Sequence, residues 1–295
     1  MSRLGDRLDV RVVPPSSAAR DPDASGTRDL LADVDLVYIQ KDATPPAMEL
    51  AGEAACRSIP IVYDLDDDIG CWPGMDEAGM ARRARVVVVD SPTRAATLSA
   101  VARRVVAIPC AMDQPDDPAR GRARHAGRVT TVGTFGNASS LVATVPWLAR
   151  LPRGVTPVVV GPESVRDRFP GADYRVFDHD RFVADVMAMD VVALAHDPHE
   201  APRKDENRLV MALSCGRPVI VAPSDSYVAL LARVGTAGEV ARYPEDVPVA
   251  LAAYADPVVR DRVGSAGSAY VWRHYHPRVI DDALLAVFWT VLGAE

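Results

Sequence analysis

Short β-branched runs alternate along the whole chain with longer stretches rich in Ala, Arg and Leu, and this alternation limits the fold more than any other feature. A run such as Val86 to Val89 has no polar alternation, so a strand made from it needs cover on both faces. Helices placed between successive strands supply that cover and leave the strands parallel. The predicted class is therefore α/β, with parallel sheets wrapped by helices.

In the first half the predicted strands are Leu8 to Val13, Val34 to Gln40, Pro60 to Tyr63, Arg85 to Asp90 and Val105 to Pro109, with helices near residues 45–57 and 92–102. Residues 114–127 combine Pro, Gly and charge without apolar periodicity and read as a linker. Beyond it the predicted strands are Arg128 to Val132, Thr156 to Val160, Tyr174 to Phe177, Val191 to Ala195, Pro218 to Ala222 and Gly238 to Ala241. Val279, Ala283, Leu284, Val287, Phe288 and Val291 recur at helical spacing, with Trp289 beside them, and predict a closing helix. The expected organisation is a short first domain over 1–113, the linker, a second domain over 128–276, and a helix within 277–295 packing back toward the first domain. Two such domains imply a cleft between them, a favoured place for ligands.

The 295 residues carry a formal charge of -7, which argues against a general affinity for nucleic acid or for anionic membranes. Cys56, Cys71, Cys110 and Cys215 are widely spaced, with no CxxC pair, so neither a structural metal nor a disulfide framework is expected. No apolar run approaches the roughly 18 residues needed to span a bilayer. The expected location is cytoplasmic, with at most a peripheral place on the inner face of the membrane.

Ala201 to Pro223, APRKDENRLVMALSCGRPVIVAP, reads as a charged helix start running into a buried strand. Arg203, Lys204 and Arg208 cluster where a helix macrodipole is positive and disfavours cations, a position a bound phosphate would make favourable. The plain alternative is a solvated first turn in which Asp205 and Glu206 pair with Lys204 or Arg208.

Four segments in order resemble the nucleotide-sugar-dependent glycosyltransferases of GT-B architecture, in particular the group-1 or GT4-like set. They are VYDLDDDI at Val62 to Ile69, VVVVDSPTRAATL at Val86 to Leu98, IPCAMD at Ile108 to Asp113, and the Ala201 to Pro223 segment. The resemblance implies two Rossmann-like domains facing a central cleft. It also implies a loop, Gly133-Thr134-Phe135-Gly136-Asn137, whose backbone approaches a diphosphate, and a donor region in which Lys204 and Arg208, four apart on one helical face, neutralise the leaving group. Arg203, Asn207 and Ser226 lie at the same entrance. Gly133, Phe135, Gly136, Asn137, Arg203, Lys204, Asn207, Arg208 and Ser226 are thus the donor-binding candidates. One departure stands out: where many members have a ribose-gripping Glu five residues before the Gly of the SCG turn, this chain has Met211, and Arg203 replaces its usual partner Glu.

Asp64, Asp66, Asp67 and Asp68 form an acidic loop at a strand end; the readings open for it are a metal ligand set, an acceptor or base role, and loop capping. The catalytic candidates are Asp64, Asp66 and His196, the last following a strand end where ligands bind in parallel sheets. His199 lies close by, and His274 and His276 read as the junction before the closing helix. Ser224 or Asp225 is an expected helix N-cap. The resemblance implies transfer of a sugar from a nucleoside-diphosphate donor to an acceptor hydroxyl on a glycan, a lipid-linked sugar or a small molecule, with no metal and no cofactor besides the nucleotide-sugar co-substrate. Two alternatives stay open, a degenerate module that binds a nucleotide or partner without turnover, and a sugar-nucleotide epimerase.

Overall fold

The computed structural model describes residues 8–12, 30–66, 70, 72–112, 127–197, 199, 201, 204–235 and 238–293. The chain forms two compact units, one of Met1–Cys110 with Pro277–Glu295 and the other of Ala111–His276.

The first unit holds a parallel sheet of β1 (Val37–Gln40), β2 (Ile61–Leu65), β3 (Val86–Val89) and β4 (Val105–Ala107), in that spatial order. Right-handed crossovers between strands laid down in sequence put every connecting helix on one face. Accordingly α1 (Pro45–Cys56), α2 (Glu77–Arg83) and α3 (Pro92–Leu98) share a core with Ile61, Tyr63, Leu65, Val87 and Val89. The other sheet face, carrying Val62, Val86 and Val88, is covered by α10 (Pro277–Leu292) through Leu285, Val287 and Phe288. Burying each of those side chains contributes roughly 1.5–3 kcal/mol.

One expectation for this unit fails, and one helix was not located in advance. Residues 8–12 form no strand: Leu8 packs beside α10, but Val10 and Val12 are exposed and no described strand pairs with them. Alternation alone cannot make a strand where the edge offers no partner. The helix α2 was not anticipated, because it is only 7 residues long and starts on the Asp76 cap, whose carboxylate accepts from the Gly79 amide.

The second unit has six parallel strands, β5 (Thr131–Phe135), β6 (Thr156–Gly161), β7 (Asp173–Val176), β8 (Val191–Leu194), β9 (Val219–Val221) and β10 (Gly238–Val240), in the spatial order β10-β9-β8-β5-β6-β7. Strand building starts at β5, runs outward through β6 and β7, then returns to the other side of β5 with β8. That reversal is the topological switch point of a doubly wound sheet, outside whose carboxyl ends ligands bind. One face is covered by α5 (His179–Met187), α6 (Asn207–Ser214) and α7 (Asp225–Val234), the other by α4 (Ala138–Leu148) and α8 (Val247–Ala252). The long α9 (Pro257–His274) gives Val271 to the first of these cores and Val263 to the second. Residues 113–126, most of the expected linker, lie outside the described residues.

The expected strand over residues 128–132 is displaced to Thr131–Phe135, so Gly133, Thr134 and Phe135 belong to the strand and not to a loop. The reason is packing: a Cβ on Gly133 would stand 1.9 Å from Met189 Sδ, so this glycine makes room for a core side chain instead of a phosphate.

Candidate functional site

At the switch point, the guanidinium of Arg208 joins the ends of the two neighbouring strands. Its Nη1 donates to the Phe135 carbonyl at the end of β5 (3.3 Å), and its Nη2 donates to the Ala195 carbonyl just past β8 (2.7 Å) and contacts His196 Nδ1 (2.8 Å). Gly136, at φ +150°, is what lets the side chain lie there, since a Cβ would stand 3.1 Å from both Arg208 Cδ and Nη1. Arg208 is the second residue of α6, so the fixed positive charge coincides with the amides of that helix's first turn. The N-terminus of α4 follows β5 directly, capped by Asn137, whose Oδ1 accepts from the Ser140 amide at 3.0 Å. Two helix N-termini and a guanidinium are therefore gathered at the carboxyl ends of β5 and β8, an arrangement suited to an anion.

His196 is buried, with its ring 4.7 Å from that of Tyr227. An arginine N–H can only donate, so a ring nitrogen of His196 accepts and the imidazole is neutral; Nδ1, at 2.8 Å, is nearer to Arg208 Nη2 than Nε2, at 3.4 Å. Burial first, then the charges of Arg208 and Lys204, pull its pKa down from 6.5 to about 3. Burial also pushes the Tyr227 phenol up to about 12, partly offset by Arg208. The sign of the pH effect follows. Below about 6.5 the unfolded chain takes up a proton at His196 that the folded chain refuses, so its contribution to stability is fully present above that pH. It is lost as the pH falls toward about 3. Denaturant melts at successive pH values should show native protein losing a few kcal/mol more than His196→Gln across that window. Parallel curves for the two proteins would count against a buried neutral imidazole.

Lys204 precedes the helix, so it and Arg208 do not share a helical face as its sequence spacing suggested. The turn carrying Lys204 is pinned instead by Ser226, whose hydroxyl donates to the Lys204 carbonyl at 3.0 Å. Asn207 opens α6, its amide donating to Asp205 Oδ1 (3.1 Å) while its own Oδ1 is buried without a hydrogen-bond partner among the described residues. Ser224 caps α7, accepting from the Tyr227 amide. Arg203 lies outside the described residues, as do Asp67, Asp68 and Asp113. Met211 is buried in the main core of this unit and presents no polar group.

Asp64 and Asp66 belong to the first unit, at the carboxyl end of β2. The Asp64 carboxylate accepts from the Tyr38 hydroxyl and from Gln40 Nε2 (3.3 Å). Burial raises its pKa, against the lowering effects of those bonds and of the Lys41 charge. Asp66 pairs with Lys41 Nζ at 2.6 Å.

For Glu206 the plain alternative of a solvated first turn does not hold. Glu206 is buried, and its carboxylate accepts from Arg233 Nη2 (3.0 Å) and from the Tyr275 hydroxyl, not from Lys204 or Arg208. Its partners lie 27 and 69 residues away, beyond the reach of any local pattern.

No family model and no curated protein sequence matches the chain. Solved structures do. HepE from Anabaena, crystallised with UDP, superposes with a TM-score of 0.70 at 19% identity, covering 94% of this chain and 84% of that one. A glycosyltransferase from Rickettsia africae gives 0.68 at 12% identity, covering 100% and 88%. Sucrose-phosphate synthase from Thermosynechococcus elongatus gives 0.66 at 15% identity, covering 92% and 77%. With its two parallel sheets, their helices and the C-terminal helix α10, the chain has the GT-B glycosyltransferase fold.

Proposed function

We propose that this protein is a glycosyltransferase that moves a sugar from a nucleoside-diphosphate donor to an acceptor hydroxyl. The observation that carries the reading is Arg208, buttressed by two strand-end carbonyls at the switch point and set among two helix N-termini with Lys204 nearby. Transfer leaves a diphosphate behind, and preorganised donors aimed at that developing charge supply the largest catalytic effect in sites of this kind. Arg208, Lys204 and the first-turn amides of α4 and α6 take that charge here without a metal ion. His196, neutral and engaged by Arg208, contacts the donor sugar or its phosphates as a hydrogen-bonding group and not as a base. Asp64, with its raised pKa, is the candidate general base of an inverting course, with Asp66 beside it; a retaining course needs neither. HepE, also crystallised with UDP-glucose, makes UDP and its sugars the first compounds to test.

The test is a thermal-shift and hydrolysis panel of nucleoside diphosphates and their sugars. A true ligand at about 100 times its Kd adds roughly 2.7 kcal/mol of stability, and the matching sugar nucleotide should be hydrolysed slowly without acceptor. Silence across every nucleotide would sink the proposal. The second reading, a nucleotide-binding module without turnover, is favoured by Met211, which leaves no carboxylate at the ribose position of the resembling family. Binding without hydrolysis or transfer would select it.

A further inference from the structure

The hydroxyl of Tyr227 is a buried donor with nothing to donate to. Tyr227 is fully buried in the first turn of α7, and its Oη has no hydrogen-bond partner among the described residues. Few buried polar groups in folded proteins stay unpaired, because each has lost its hydration without a replacement. The place where this one occurs is the start of α6. Ser226, one residue earlier, ties the first turn of α7 to the Lys204 carbonyl, the Tyr227 ring lies 4.7 Å from that of His196, and the Arg208 charge acts on the phenol. A second unpartnered buried atom, Asn207 Oδ1, opens the same helix.

Neither neighbour of the phenol can take its proton. An arginine N–H only donates, and a neutral imidazole has one accepting nitrogen, which Arg208 already engages. What this spot lacks is an acceptor, and a phosphate oxygen is one. We propose that Tyr227 is a ligand-binding residue whose hydroxyl donates to a phosphate oxygen of the donor's diphosphate beside Arg208. This rests on the reading of the site as a diphosphate site. Binding has to uncover the hydroxyl, and the ring that lies against it is His196's, so the ligand is expected to turn that ring aside.

Tyr227→Phe isolates the hydroxyl, because it keeps the ring and its packing against His196. A hydroxyl that serves the fold and one that awaits a ligand respond in opposite ways. If it awaits a ligand, the free variant should melt no lower than native, since a buried unpaired group has been removed. Its Kd for UDP, and for pyrophosphate as a base-free probe, should rise about tenfold by titration calorimetry, the effect of losing one hydrogen bond to a charged acceptor. A free variant that melts several degrees lower, or does not fold, shows the hydroxyl already paired in the free protein and overturns the inference. Unchanged affinity for both probes overturns it as well and leaves the site standing. Native protein that binds neither probe overturns the reading of the site, and the inference with it.

Discussion

Arg208→Ala is expected to abolish stabilisation by nucleoside diphosphates and to lower donor turnover by about two orders of magnitude or more, the scale seen when one preorganised charge-stabilising donor is lost. The substitution also strips the Phe135 and Ala195 carbonyls and His196 Nδ1 of their donor, at a cost of roughly 1–3 kcal/mol for each group left buried and unpaired. Activity must therefore be compared well below the variant's own melting temperature. Arg208→Lys is the discriminating partner. It keeps the charge but replaces a planar fork with a point ammonium that cannot bond both strand ends at once. Loss in both variants assigns the effect to the fork, and recovery in the lysine variant assigns it to charge alone. A native-sized UDP shift in Arg208→Ala would remove Arg208 from the phosphate site.

The second large effect concerns α10. Phe288 is buried against the sheet of the first unit, with its ring 5.6 Å from that of Tyr38 in an edge-to-face pair. Phe288→Ala should destabilise the protein by about 3–5 kcal/mol, the range for truncating a buried phenylalanine. It should also loosen Tyr38, the donor to Asp64, so the Asp64 carboxyl should lose a lowering hydrogen bond and titrate at higher pH along with the loss of stability. Removing residues 277–295 altogether would bare Val62, Val86 and Val88 and should leave the first unit unfolded or aggregating. Chemical denaturation followed by circular dichroism measures the first effect, and the soluble yield of the shortened chain the second. A shortened chain with native-like melting would show that α10 is dispensable.

Much of the fold was legible because parallel strands covered on both faces leave a strong apolar signature: β2, β3, β6, β8 and β9 fall where their valine and isoleucine runs predict. Boundaries were less legible, because register is settled by partners far along the chain. Gly133 looked like a loop glycine, yet Met189 on a distant segment draws it into β5. Within the candidate site, the sequence put Lys204 and Arg208 close to the start of α6 but did not give the directions of the side chains. Arg208 turns inward because strand-end carbonyls await it, and Glu206 turns away because Arg233 and Tyr275 do. A helical wheel contains neither fact.

The two units also differ in how the chain is spent on them. The second is one uninterrupted run, whereas the first is sealed by residues from the far end of the sequence. On a ribosome, domains ordinarily complete in the order in which they emerge. Here that order inverts along the sequence: every strand and helix of the six-stranded sheet precedes α10, so the earlier sheet keeps a bare valine face until α10 is available to cover it. The earlier sheet is therefore the part of the nascent chain that shows an apolar face for longest, and chaperone capture should concentrate on it.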